Sequence, residues 1–175
     1  MNTSWLEKIL NVVLIVTCVL VSGVAVKRLT QDAAPAAPDP RGQPQGYTKG
    51  EVLPPIAGVR YAEREKTVVL FISSHCKYCV ESMPFYARLS SLRKSAGFQL
   101  VVASSESTKT ITDLLAENRC EADHVKTIGP DDLKVFATPT LIVADRQGRV
   151  SNVWRGALRQ REREVEEALS GVGGA

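Results

Sequence analysis

The stretch SSHCKYCVESMPFY, residues 73–86, sets Cys76 and Cys79 three positions apart. Such a pair can cycle between dithiol and disulfide, supply half of a zinc site, or stand idle. Redox work needs a thiolate, because the ionised sulfur attacks, and an ordinary thiol with a pKa of about 8.5 is mostly protonated at neutral pH. A cysteine that opens a helix meets the unpaired N–H groups of the first turn and the positive end of the helix dipole, and both favour thiolate. Cys76 stands where such a helix would start, with His75 and Lys77 beside it as sources of further positive charge. Cys79 follows one turn later on the same side, within reach of a disulfide. The expected chemistry has two steps: Cys76 attacks a substrate disulfide, and Cys79 resolves the mixed disulfide.

The metal reading is weaker. A structural zinc takes four ligands, and the chain has no second C-x-x-C. Cys120 and His124, in CEADH, have a spacing that suits one helix face, but they lie beyond a further strand and helix. Taken singly, Cys120 reads as a buried or idle thiol, and His124 as a surface or loop residue. A soft ion such as Cu(I) held by Cys76, Cys79 and His75 is the rival from another functional class.

A strand before the pair and a helix after it must position the sulfurs. TVVLFIS, residues 67–73, is a continuous β-branched and aromatic run, as in a strand buried on both faces. From about Cys76 to Ser95, Val80, Met83, Ala87 and Leu92 recur at helical spacing, with Pro84 interrupting. FQLVVAS, residues 98–104, is a second buried strand, and Ser107 can cap a helix carrying Ile111, Leu114 and Leu115. TLIVAD, residues 140–145, turns through RQG into RVSNVW, residues 149–154, an antiparallel partner. The charged helix that ends the chain has Leu158, Val165, Ala168 and Leu169 on one face and a glycine-rich stop. This order implies an α/β fold, a mixed sheet flanked by helices.

VVLFISSHCKYCVESMPFY, followed some sixty residues later by FATPTLIVADRQGRV, resembles the thioredoxin superfamily, and within it the membrane-anchored or periplasmic thiol–disulfide oxidoreductases of the TlpA/ResA type. The resemblance covers about Val52 to Leu169 and implies a thioredoxin-like fold. In that family a proline five residues after the second cysteine kinks the first helix, and Pro84 occupies that place. A cis-proline before a central strand faces the redox pair, and Thr138–Pro139–Thr140 matches it. By resemblance, Thr138 would offer backbone hydrogen bonds to an extended substrate segment. His75 stands where the family has an aromatic, and the dipeptide between the cysteines is Lys77–Tyr78, without proline. The buried acid that many thioredoxins carry six residues before the first cysteine is here Leu70. Ser82 replaces a common family glutamate, leaving Glu81 beside it as a candidate for proton transfer from Cys79. The resemblance implies catalysis by Cys76 and Cys79, substrate docking at Thr138 and Pro139, and modulation by His75, Lys77, Tyr78 and Glu81. It calls for no cofactor and no metal. Its partners would be protein thiols and disulfides, plus a membrane electron donor or acceptor.

The remaining sequence suggests where this centre works. Residues 9–26, ILNVVLIVTCVLVSGVAV, carry no charge. As a helix they span roughly 27 Å, close to the hydrocarbon thickness of a bilayer. They are expected to be an uncleaved transmembrane anchor behind a short flank, residues 1–8. A cleaved signal peptide, or lipidation at Cys18, fits less well. Residues 27–51, rich in Pro, Ala and Gly, cannot bury enough apolar surface to fold and read as a flexible linker. Residues 52–175 then form one thioredoxin-like head, expected to be monomeric. Lys8 lies before the span and Lys27 and Arg28 after it, so charge leaves the orientation open. The family resemblance favours a single-pass protein of the cell inner membrane with a periplasmic head. The net charge of +3 is spread evenly, with no basic cluster to mark a nucleic-acid partner. A redox-inactive binding module on this fold is the third reading. It predicts a Cys76–Cys79 disulfide that never cycles.

Overall fold

The computed structural model describes residues 46–170. The apolar run 9–26, Cys18 and most of the 27–51 linker lie outside that range. Among the described residues, no helix is long and apolar enough to cross a membrane.

Five strands form one mixed sheet: β1 (Lys66–Phe71), β2 (Phe98–Ser104), β3 (His124–Thr127), β4 (Thr140–Ala144) and β5 (Val150–Arg155), in the order β3-β2-β1-β4-β5. β1 and β3 run parallel to β2, whereas β4 is antiparallel to both β1 and β5. β1 is therefore central, with Leu70 between Val102 and Leu141. The continuous apolar runs in β1, β2 and β4 follow from burial on both faces. Side chains alternate across the pleat. Val68, Leu70, Leu100, Val102, Leu141 and Val143 join one core, and Val69, Phe71, Val101, Ala103 and Ile142 join the other.

Helices cover the first face: α1 (Lys77–Glu81), α2 (Met83–Leu92), α3 (Thr108–Glu117) and α4 (Glu162–Ser170). Ser107 caps α3 by accepting the Thr110 N–H at 3.1 Å, and α4 buries Val165 and Leu169, as their spacing predicts. The second face is closed by irregular chain instead. Tyr47, Leu53, Ile56 and Val59, with Leu133 and Val135, pack onto it. Tyr47 falls in the segment read as linker, yet it is only 4% exposed, and its carbonyl accepts from Arg155 at 2.6 Å.

Two sequence expectations need correction. The interruption expected at Pro84 falls at Ser82, which separates α1 from α2 with Pro84 in the first turn of α2, but it changes the buried face from the one expected. Met83, Phe85, Tyr86 and Leu89 enter the core, while Val80 and Leu92 are exposed, because the apolar phase restarts after Ser82. His124 is not in a loop; it begins β3, a short edge strand whose residues are only partly buried. The β4–β5 turn is as read: Asp145 accepts the N–H groups of Gln147 and Arg149, and Gly148 takes the positive φ of +74°.

Candidate active site

Parallel strands β1 and β2 end on the same side of the sheet, and the loops leaving those ends meet there. Such crevices are where open α/β sheets place their chemistry. β1 leads through Ser73, Ser74 and His75 into Cys76, which is the N-cap of α1 in extended conformation (φ −84°, ψ 110°). Its carbonyl accepts the N–H groups of Cys79 and Val80 at 3.0 and 3.1 Å, and its sulfur accepts the Cys79 N–H at 3.3 Å. The sequence-based placement of Cys76 at a helix start holds.

From the opposite side comes the loop before β4. The Thr138–Pro139 peptide is cis, and Thr138 presents its carbonyl 3.3 Å from the Cys76 sulfur. A carbonyl can only accept, so that contact belongs to the protonated thiol. Thr138 is partly exposed and Pro139 buried. An open groove of about 680 Å³ runs beside Thr138, with Phe71 and Val135 in its wall and Phe136 half exposed at its margin.

Both cysteines are free thiols, yet their environments differ sharply. Partial burial pushes the Cys76 thiol up, but hydrogen bonding from the Cys79 and Thr138 side chains, and from the backbone N–H groups of Cys79 and Tyr78, outweighs both that and the Thr138 carbonyl contact. The net result lies below an ordinary cysteine. Cys79 is wholly buried, and desolvation followed by the Cys76 sulfur pushes its thiol up to about 12. One sulfur is thus accessible and ionisable, and the other is held behind it with its proton on.

The candidate modulators spread around this pair. His75, Lys77 and Tyr78 are all exposed. Glu81 faces Lys77 on the helix surface at 3.8 Å, so the structure brings it to Lys77 rather than to Cys79. Leu70 is fully buried in the core, with no carboxyl in its place. Cys120 is also buried, and burial pushes its thiol up to about 11. Among the described residues, no three His, Cys, Asp or Glu side chains converge as metal ligands.

Sequence reasoning passed over Glu106, in the connection after β2. Its carboxylate accepts the Ser74 N–H at 2.8 Å and the Ser74 hydroxyl, and lies 3.6 Å from His75 Nδ1. Partial burial disfavours its charge. Hydrogen bonds from the Ser74 and Ser73 hydroxyls and the Ser74 N–H, with His75 nearby, outweigh that and hold the carboxyl below the usual range. A glutamate in SSES carries no sequence signal for this contact, which spans 32 positions.

A sequence model described as the thioredoxin-like domain matches residues 60–170. No curated protein matches the chain. Among solved structures, it is similar to a Chlorobium tepidum protein assigned as the thiol:disulfide interchange protein DsbE, at 22% identity over 73% of this chain and 99% of that one, with a TM-score of 0.59. It is also similar to a thiol:disulfide interchange protein from Bacteroides sp. (18% identity, 72% and 93% covered, TM-score 0.56). A third is the thioredoxin domain of a Bacteroides vulgatus thiol-disulfide oxidoreductase (16%, 71% and 99%, TM-score 0.58). At these identities the likeness is one of fold.

Proposed function

The chain belongs to the thioredoxin-like domain family, and we propose that it works there as a membrane-tethered thiol–disulfide oxidoreductase of the TlpA/ResA type. The observation that carries this reading is the asymmetry of the pair: an ionisable Cys76 capping α1, and a protonated Cys79 buried directly behind it. The Cys76 thiolate attacks a protein disulfide, and one substrate sulfur leaves as thiolate. Cys79 then attacks the Cys76 sulfur of the mixed disulfide, its proton passing to the second departing substrate thiolate. Two electrons have moved from the dithiol to the substrate, and the reverse sequence oxidises a substrate dithiol. With the position of the family acid occupied by Leu70 and Glu81 turned to Lys77, the departing substrate thiolate is the proton acceptor this mechanism uses.

Thr138, beside Cys76 and at the end of the groove, docks the extended segment that flanks the substrate cysteine. Residues 9–26 anchor the protein in the inner membrane, and the part of the linker before Tyr47 lets the head reach partners in the periplasm. A membrane electron donor or acceptor resets the pair. The test is turnover of a disulfide-containing model protein by the full chain. The reading expects Cys76→Ser to abolish exchange, and exchange by that variant at the parental rate would remove it. Removal of residues 1–26 is expected to release the protein from the membrane fraction, and a truncated chain that still sediments with membranes would count against the anchor.

A further inference from the structure

The segment Ser73–Ser74–His75 is the distinctive feature of this site's sequence, and its polar groups have a common destination. Ser74 gives both its N–H, at 2.8 Å, and its hydroxyl to the Glu106 carboxylate. The Ser73 hydroxyl ties the segment to itself by accepting the His75 N–H at 3.2 Å. His75 Nδ1 lies 3.6 Å from it and 3.2 Å from the Ser74 hydroxyl. Glu106 is itself fixed from two strands: its N–H donates to Ser104 Oγ at the end of β2, and its carbonyl accepts from Thr127 Oγ1 of β3. A carboxylate suits this place because both of its oxygens accept, Oε1 from the Ser74 N–H and Oε2 from the Ser74 hydroxyl, whereas an amide has an acceptor at only one of the two positions.

The consequence reaches the nucleophile. The Cys76 N–H closes onto the Ser73 carbonyl at 3.2 Å, so the anchored segment sets where Cys76 sits relative to the first turn of α1. We infer that Glu106 is a positioning residue: by clamping Ser73–Ser74–His75 to the ends of β2 and β3, it holds Cys76 at the N-cap, where its sulfur accepts the Cys79 N–H. The inference rests on the proposed redox role of Cys76. The His75 ring nitrogen lies 3.6 Å from the Glu106 carboxylate, Cys79 and, from α2, Tyr86 are the titratable groups that face the Cys76 sulfur, and Lys77 is its charged neighbour in the chain.

The sign of the effect separates positioning from simple charge. A carboxylate near a thiol disfavours its ionisation, so removing that charge alone would make Cys76 ionise at lower pH. Loss of the clamp does the opposite, because the sulfur leaves the donors of the helix start.

The experiment follows iodoacetamide labelling of Cys76 in the full reduced chain, mapped by mass spectrometry, against pH. E106Q is expected to move the midpoint for Cys76 upward by about half to one unit, slowing its labelling at pH 7 by roughly three- to tenfold. S74A keeps the Glu106 charge but removes one clamped donor, and is expected to move the midpoint in the same direction by less. It decides the matter if E106Q does not fold. A midpoint that stays put or falls in both variants overturns the positioning role. Disulfide exchange by the parent, measured alongside, keeps the two ideas distinct. A parent that does not exchange disulfides contradicts the proposed function even where the midpoint shifts, and a parent that does, with unshifted variants, leaves that function standing without the clamp.

Discussion

Limited alkylation of the reduced protein at pH 7 probes the asymmetry of the two sulfurs quantitatively. With its pKa pushed up to about 12, Cys79 is ionised in about one molecule in 10⁵ at that pH. Cys76 lies below its ordinary value of 9.0, so more than about one molecule in a hundred carries its thiolate. The thiolate populations therefore differ by at least ~10³. Nucleophilicity falls as pKa falls, with a Brønsted slope of about 0.4–0.5, so three units return a factor of about 15–30 to Cys79. The surviving preference is on the order of 40-fold for Cys76, before the complete burial of Cys79 is counted. Substoichiometric iodoacetamide followed by peptide mapping should place more than roughly 95% of the label carried by this pair on Cys76. Raising the pH to 8 should multiply labelling at Cys79 by about ten, and at Cys76 by no more than that. Comparable labelling of the two cysteines at pH 7 would refute the reasoning, because it would mean that neither the helix cap nor burial separates them.

The same asymmetry makes the stability of the reduced protein pH-dependent. A thiol raised from 9.0 to about 12 keeps its proton in the fold while the unfolded chain loses it, so stability falls as pH rises above 9. Cys79 alone contributes up to about 1.4 kcal/mol per pH unit in that window, so Cys79→Ala should remove about 1.3 kcal/mol of the stability change between pH 8.5 and 10 in denaturant titrations. An equally steep slope in the variant would contradict the buried-thiol assignment. The Tyr86 hydroxyl is buried without a hydrogen-bond partner, so Tyr86→Phe is expected to leave stability unchanged or raise it by up to about 1–2 kcal/mol. A loss beyond ~1 kcal/mol in thermal unfolding would reveal a bond that this geometry lacks. Ser107→Ala should cost about 1 kcal/mol through the lost α3 cap, and a neutral result by the same measurement would remove that assignment. Asp145→Ala, which leaves two turn N–H groups without their acceptor, should cost about 1–2 kcal/mol, with no change in Cys76 labelling.

What the sequence made legible were the features with strong local physics. The β-branched runs around Val69, Val101 and Ile142 read as buried strands, and the strand–Cys–helix order puts Cys76 at a helix start. Thr138 and Pro139 came from resemblance rather than spacing, since nothing local shows that a distant loop closes on a sulfur. β3 escaped notice because His124–Thr127 is short, polar in part and on the edge, where only one neighbour supports it. Pro84 marked the α1–α2 break, but the change of helical phase that goes with it leaves no mark on composition and misled the choice of buried face. The cover of the second face was equally silent: Tyr47 looks like linker until Arg155 and β5 come to meet it. Glu106 belongs to the same class. Its partners are 32 positions away, and its role exists only once β2 and β3 stand beside the Cys76 loop.

The claim beneath all of this is that substrate sulfur bonds to Cys76 and is released by Cys79. Incubating the full-length Cys79→Ala protein, reduced, with a disulfide-containing protein substrate and mapping the product by mass spectrometry tests it directly. The account predicts a stable covalent adduct joined through Cys76 that disappears when Cys76 is also replaced by Ser. An adduct carried by another cysteine, or none at all while the parent exchanges disulfides, would contradict it.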